Sequence, residues 1–141
     1  MTVESQAGYL LKRAQASLHD AMSATLSAHD LTVAQYAALA AVTAEPGLSN
    51  ADLARRSFVT PQTMIQLLRD LEGRGLVARS PHPHHGRVLQ TRPTAAGRAV
   101  AEAASAGVNQ LEQLMLSGLS SGQRRQLTDA LASCISALAT G

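Results

Sequence analysis

At 141 residues the chain fits one ordinary domain with room for a real core, but not two domains of usual size. Alanine and leucine dominate, with one phenylalanine, two tyrosines and no tryptophan, which favours packed helices over sheets built from aromatic and branched side chains. The formal charge of +2 conceals a split: residues 50–98 carry eight arginines against Asp52, Asp70 and Glu72, while acids outnumber bases in the rest of the chain.

That split concentrates positive charge in the middle third, the footprint of a chain that meets a polyanion. No run of about 20 apolar residues exists to span a membrane. Glu4, Lys12 and Arg13 fall where a secretion signal would need an apolar stretch, so a soluble, cytoplasmic protein with no membrane partner is expected.

In chain order, residues 6–27 place Leu10, Leu11, Ala14, Leu18, Ala21, Met22 and Leu26 at the three-and-four spacing of an amphipathic helix. "LTVAQYAALAAVTAEPG" predicts a second helix ending before Pro46, with Tyr36, Leu39 and Val42 inward. "SNADLARRS" predicts a short third helix capped by Ser49, with Leu53 and Ala54 inward. "FV" makes the turn that follows.

A fourth helix begins at Thr60, whose hydroxyl suits a cap, and Pro61 suits the first helical position because its missing N–H would have no partner there. Met64, Leu67, Leu68 and Leu71 form its inward face, and Gly73 and Gly75 stop it. Gln62, Thr63, Gln66 and Arg69 are left outward.

"LVARS" and "RVLQTR" then read as a strand hairpin around the loop "PHPHHG", leaning on the helices through Leu76, Val77 and Leu89. Thr94 caps a long helix whose apolar stripe runs through Ala99, Val100, Ala103, Val108, Leu111, Leu114 and Met115, with Gly97 and Gly107 arguing against continuity. A last helix from Ser120 or Ser121 to about Leu138 carries Leu127, Leu131, Ile135 and Leu138. Cys134, the single cysteine, falls among them and is expected to be a buried structural thiol. The apolar stripes of the terminal helices would be unfavourable on a lone subunit, and a homodimer would bury them.

The chemistry points one way. A short helix projecting Gln62, Thr63 and Gln66 from its leading half suits the major groove, where glutamine pairs two-pronged with adenine and threonine meets a base edge or a thymine methyl. Arg69 reaches guanine or phosphate, and Arg87 in the strand-connecting loop reaches the minor groove or its backbone. Arg55, Arg56, Arg74 and Arg79 are candidates for phosphate contacts or for internal ion pairs.

His82, His84 and His85 are too crowded on a proline-rich loop to converge on zinc, so no metal is expected. Partial protonation at about pH 6–7 would instead draw the loop towards phosphate. No phosphate-cradling glycine loop, HExxH pair or GxSxG elbow is present, so neither an enzyme nor a cofactor is expected.

The order of these elements, with "LTVAQYAALAAV", "LSNADLARRSFVTPQTMIQLLRDLEGRGLVAR" and "RPTAAGR", resembles the MarR family of bacterial winged helix-turn-helix regulators. The resemblance implies an all-α dominated (α+β) fold: one domain over residues 1–141, a DNA-binding region over 31–98, and dimerisation helices over 1–28 and 99–141. It implies a homodimer on double-stranded DNA with an inverted-repeat operator, usually as a repressor relieved by a small lipophilic or aromatic effector.

By the same resemblance the recognition helix runs from Pro61 to about Glu72. The expected DNA-binding set is Thr60, Pro61, Gln62, Thr63, Gln66 and Arg69, with His84, His85 and Arg87 on the loop. That loop departs from the family pattern, which commonly has an acid, Pro-Arg and Asp-Arg-Arg where this chain has His82 to Arg87. The alternative is a winged-helix module that contacts a protein rather than DNA.

Overall fold

A computed structural model describes residues 2–84 and 86–139, the side chain of Glu4 aside. Contacts group the chain into two compact units, Met1–Val108 and Asn109–Gly141.

After a single 3-10 turn at Val3–Ser5, helix α1 spans Ala7–Ser27 and α2 spans Val33–Ala44. The second helix starts one residue past Thr32, whose hydroxyl accepts from the Gln35 N–H while the Gln35 side chain accepts from the Thr32 N–H. This reciprocal cap satisfies two donors that a helix start leaves open.

Strand β1, Leu48–Ser49, leads directly into α3, Asn50–Arg56. Ser49 caps α3 by accepting from the Asp52 N–H, and its hydroxyl donates to the Asp52 carboxylate. Helix α4 spans Pro61–Gly73, capped by Thr60 with Pro61 in its first turn, a cap worth about 1 kcal/mol. It ends where the Leu76 N–H returns to the Leu71 carbonyl and Gly75 takes a φ of 74°, a backbone conformation that glycine adopts without penalty.

Strands β2, Val77–Pro81, and β3, Leu89–Pro93, form the expected hairpin. It is not isolated. β1 pairs antiparallel with β3, Leu48 opposite Thr91 and Ser49 opposite Gln90, giving a three-stranded sheet in the order β1-β3-β2. The buried residue of the central strand is Thr91, at 1% exposure, and not Leu89, which is 44% exposed. Leu89 pairs with Pro81 towards the hairpin tip, beyond the cover of the helices.

Helix α5, Ala95–Met115, is continuous through both Gly97 and Gly107. Its buried positions are Gly97, Ala101 and Ala104; of the expected stripe Val100 and Val108 pack against the core, while Ala99 and Ala103 are exposed. The hydroxyl of Thr94 accepts from the Gly97 N–H at 3.0 Å and donates to the Gly75 carbonyl at 2.6 Å, tying the start of α5 to the end of α4.

The core of the first unit is contiguous. Leu26 from α1, Ala38, Leu39 and Val42 from α2, Leu53 from α3, Met64, Leu68 and Leu71 from α4, Val77 from β2 and Ala101 and Ala104 from α5 all pack within it. Each fully buried leucine contributes about 1.5–3 kcal/mol by leaving water, so the start of the helix-turn-helix is held by its own inward face.

In the second unit, helix α6 spans Ser121–Ala139, with Ser120 accepting from the Gln123 N–H. None of its described residues is buried. Cys134 is therefore exposed in the single chain, against the expected buried thiol, because α6 buries no face within this subunit. The same holds for most of the N-terminal stripe: Leu26 is its one buried member, and Leu10 and Leu11 are half exposed.

Candidate nucleic-acid interface

The alternation of apolar and polar residues in α4 produces two faces. Met64, Leu67, Leu68 and Leu71 are buried, while Pro61, Gln62, Thr63, Gln66, Arg69 and Asp70 are exposed. At the helix start, the Thr60 hydroxyl accepts from the Thr63 N–H and donates to the Thr63 hydroxyl at 3.0 Å. Thr63 is thereby held by the cap.

One turn further, the Gln66 side chain donates to the Asp70 carboxylate at 2.9 Å. Among the described residues Gln62 and Arg69 make no hydrogen bond or ion pair, so they are the two outward groups ready to meet a ligand without first breaking a bond. This helix start carries the partial positive charge of the helix dipole and no acid in its first turn.

The neighbouring hairpin is organised at its tip by two bonds: the His82 N–H donates to the Val88 carbonyl at 2.7 Å, and the His84 N–H donates to His82 Nδ1 at 3.1 Å. The His82 and His84 rings are 6.0 Å apart and tilted by 57°. His85 lies outside the described residues. Arg87 is exposed and, among the described residues, unpaired.

Between α4, the start of α3 and the hairpin lies an open cleft of about 580 Å³ lined by Asn50, Ile65, Arg69, Arg79, Arg87 and Leu89, among others. Three arginines from three elements thus converge on one concave surface. Asn50 and Ile65 are members of this surface that charge and motif reading passed over. Their one signal in the sequence is position, at the start of α3 and on the edge of the α4 apolar face.

The four arginines open to phosphate contacts or internal ion pairs, Arg55, Arg56, Arg74 and Arg79, are engaged within the chain. Arg55 pairs with Asp52, and Arg56 reaches Glu45 at 3.1 Å. Arg79, largely buried, pairs with Glu72 at 3.2 Å and fastens β2 to the end of α4. Arg74 donates to the carbonyls of Asp30 and His29. Of the two readings open for these four, the internal one is the geometry found. No group of three or more His, Cys, Asp or Glu among the described residues is placed to hold a metal.

Two helices joined by a tight turn, the second exposed, and a three-stranded sheet with a projecting hairpin define a winged helix-turn-helix protein. Comparison with known proteins narrows this. A MarR family profile matches residues 29–88.

The HTH-type transcriptional repressor Rv2887 of Mycobacterium tuberculosis is 43% identical over 119 residues, 84% of this chain and 86% of that protein. The crystal structure of Rv2887 in complex with DNA superposes with a TM-score of 0.76 at 38% identity, covering 92% of this chain and 98% of that one. Its complex with salicylic acid gives 0.75 at 39% identity, covering 95% and 99%. CouR of Rhodococcus jostii RHA1, bound to p-coumaroyl-CoA, gives 0.85 at 26% identity, covering 95% and 94%. The chain belongs to the MarR family of winged helix-turn-helix transcriptional regulators, a family of regulators and not of enzymes. No helix among the described residues is long and apolar enough to cross a membrane.

Proposed function

We propose that the chain is a sequence-specific DNA-binding repressor that acts as a homodimer on an inverted-repeat operator and is released by a small aromatic or lipophilic effector. One observation carries the reading: α4 holds Gln62 and Arg69 outward and unpartnered beside a cleft that Arg69, Arg79 and Arg87 share. In it, α4 enters the major groove, where Gln62, Thr63 and Gln66 address base edges, and the hairpin carries Arg87, with His84 and His85, to the minor groove. Thr60 and Pro61 serve the interface by fixing the helix start.

Arg69 and Arg87 supply the leading phosphate attraction. Arg55, Arg56, Arg74 and Arg79 contribute through the field of a surface they also brace. The DNA complex of Rv2887 supports this assignment.

Dimerisation is supported by the apolar groups the single chain leaves in water. Leu10 and Leu11 on α1 are about half exposed, and Ile135 and Leu138 on α6 are 69% and 84% exposed. Pairing two copies through these helices sets the separation of the two α4 helices, which must be about 34 Å to meet successive major grooves on one side of the duplex. An effector that favours a different separation shifts the population away from DNA. The aromatic acid bound by Rv2887 and the aromatic acyl-CoA bound by CouR support an effector of that chemical class.

Selection of bound sequences from random duplex DNA tests the whole reading. The expected result is a palindrome whose half-sites are one helical turn apart and whose affinity falls steeply with salt. A protein that enriches no sequence and binds no duplex at low ionic strength overturns it.

A further inference from the structure

The turn between α3 and α4 contains the only phenylalanine in the chain, and it is 95% exposed. Its backbone is also unusual. Phe58 has a φ of 58°, and the one other non-glycine residue with positive φ among those described is Asp30, a type that tolerates this region far better.

The reason is local. The Ser57 N–H returns to the Leu53 carbonyl and the Val59 N–H to the Ala54 carbonyl, a helix ending that requires a left-handed residue between them. The same chain ends α4 in the same way and puts Gly75 there. At the end of α3 it instead accepts the steric penalty and leaves a large apolar ring in water.

Neither choice serves the fold, because the ring is buried against nothing in the subunit. The two backbone bonds fix the point and direction from which the side chain leaves the turn. Its surroundings describe the partner: exposed Arg55 and Arg56 precede it, and exposed Thr60, Pro61 and Gln62 at the positive start of α4 follow it. Arg55 and Arg56 are each bonded to one acid through a single nitrogen, so a surface that satisfies the ring, their remaining donors and the positive start of α4 carries negatively charged acceptors beside an apolar patch. A nucleotide does both, through its phosphate and through its deoxyribose or thymine 5-methyl group.

We propose that Phe58 is a further contact to the operator, laying its ring on the apolar part of a nucleotide at the edge of the groove that α4 enters. This rests on the DNA-binding reading above. It differs from the polar contacts of α4 in adding no charge and no hydrogen bond, so its removal lowers affinity without changing the salt dependence.

The test compares wild type, Phe58→Gly and Phe58→Asn on the duplex that wild type selects from random DNA. Glycine and asparagine both accept the left-handed turn, so melting temperature is expected to stay equal or rise, while affinity falls by about tenfold with an unchanged salt slope. Replacing thymines by deoxyuridine one position at a time then distinguishes the two apolar sources. A wild-type penalty that vanishes in Phe58→Gly assigns the methyl, and no penalty at any position assigns the deoxyribose.

Undiminished affinity in both variants overturns the proposal and points to a protein as the partner of the ring. A clear fall in the melting temperature of both variants also overturns it, since the ring would then be structural. A wild type that binds no duplex is a separate failure, of the DNA-binding reading itself.

Discussion

The Arg74 guanidinium, at the end of α4, donates to the backbone carbonyl of Asp30 at 2.6 Å, so α4 is anchored to the loop between α1 and α2. A second bond reaches the His29 carbonyl at 3.3 Å. Arg74→Ala is expected to lower stability by about 1 kcal/mol, the scale of an exposed charge-assisted bond. The salt slope of DNA binding should fall by less than for loss of a direct phosphate contact, because Arg74 keeps its charge but its donors are turned to the backbone carbonyls. Denaturant unfolding and a salt titration of affinity check the two halves separately.

Gln62 and Gln66 differ in what they must give up to reach a base. Gln62 is exposed without a partner among the described residues, whereas Gln66 is bonded to Asp70. Gln62→Ala should cost about 1–3 kcal/mol of operator affinity and relax preference at one or two base pairs. Gln66→Ala should cost less, since a contact by Gln66 must first replace the bond to Asp70. Affinities measured on a panel of single-base operator variants decide it; equal losses would contradict the ranking.

Arg87 is exposed and, among the described residues, unpaired, whereas Arg79 is largely buried against Glu72. Arg87→Ala should weaken binding across sequences and lower the salt slope by about one phosphate's worth. Arg79→Ala should act mainly on stability, by loosening β2 from α4. Paired salt titrations and thermal melts check this assignment.

Gly97 packs so closely on the hairpin root that an added Cβ would lie 1.9 Å from the carbonyl oxygen of Leu76. That carbonyl also accepts from the Thr94 N–H, so it cannot move away freely. Gly97→Ala should destabilise the fold by about 1–3 kcal/mol or more despite the better helix propensity of alanine. A melting temperature equal to wild type would contradict the packing described.

Burial holds the Tyr36 phenol above its ordinary value of 10.0. The native state therefore keeps its proton more tightly than the unfolded chain does. The corresponding stability is fully present below pH 10 and is lost as pH rises through the folded-state value. Tyr36→Phe should flatten the alkaline limb of the stability profile, which denaturant unfolding at a series of pH values reads directly.

The parts of this fold legible in the sequence are those governed by local chemistry. Thr60, Ser49 and Thr94 cap the helices they were expected to cap, and the three-and-four spacing of α4 separates its buried leucines from Gln62 and Arg69. The parts that were not legible depend on distant partners. β1 is two residues long, too short for alternation to register, and exists because β3 offers it an edge.

On α5 the spacing located Val100 and Val108, which pack against the core, but not Gly97, Ala101 and Ala104, whose small size lets the helix approach closely enough to be buried. Cys134 was misplaced because periodicity identifies an apolar face but not the molecule that covers it. In the site, the residue types on α4 and the i,i+3 pair of Asp52 and Arg55 were readable, whereas the engagement of Arg56, Arg74 and Arg79 needed acids and carbonyls that only folding brings near.

The pairing of Leu48 with Thr91 has a mechanical result. It stitches the middle of the hairpin to the residue before the Ser49 cap of α3, with the His82–Val88 bond lying farther out towards the turn. The middle of the hairpin is therefore tied through the sheet to the start of α3. In the proposed complex, a mismatch between the hairpin and its groove is delivered along that tie as a push on the helix pair itself.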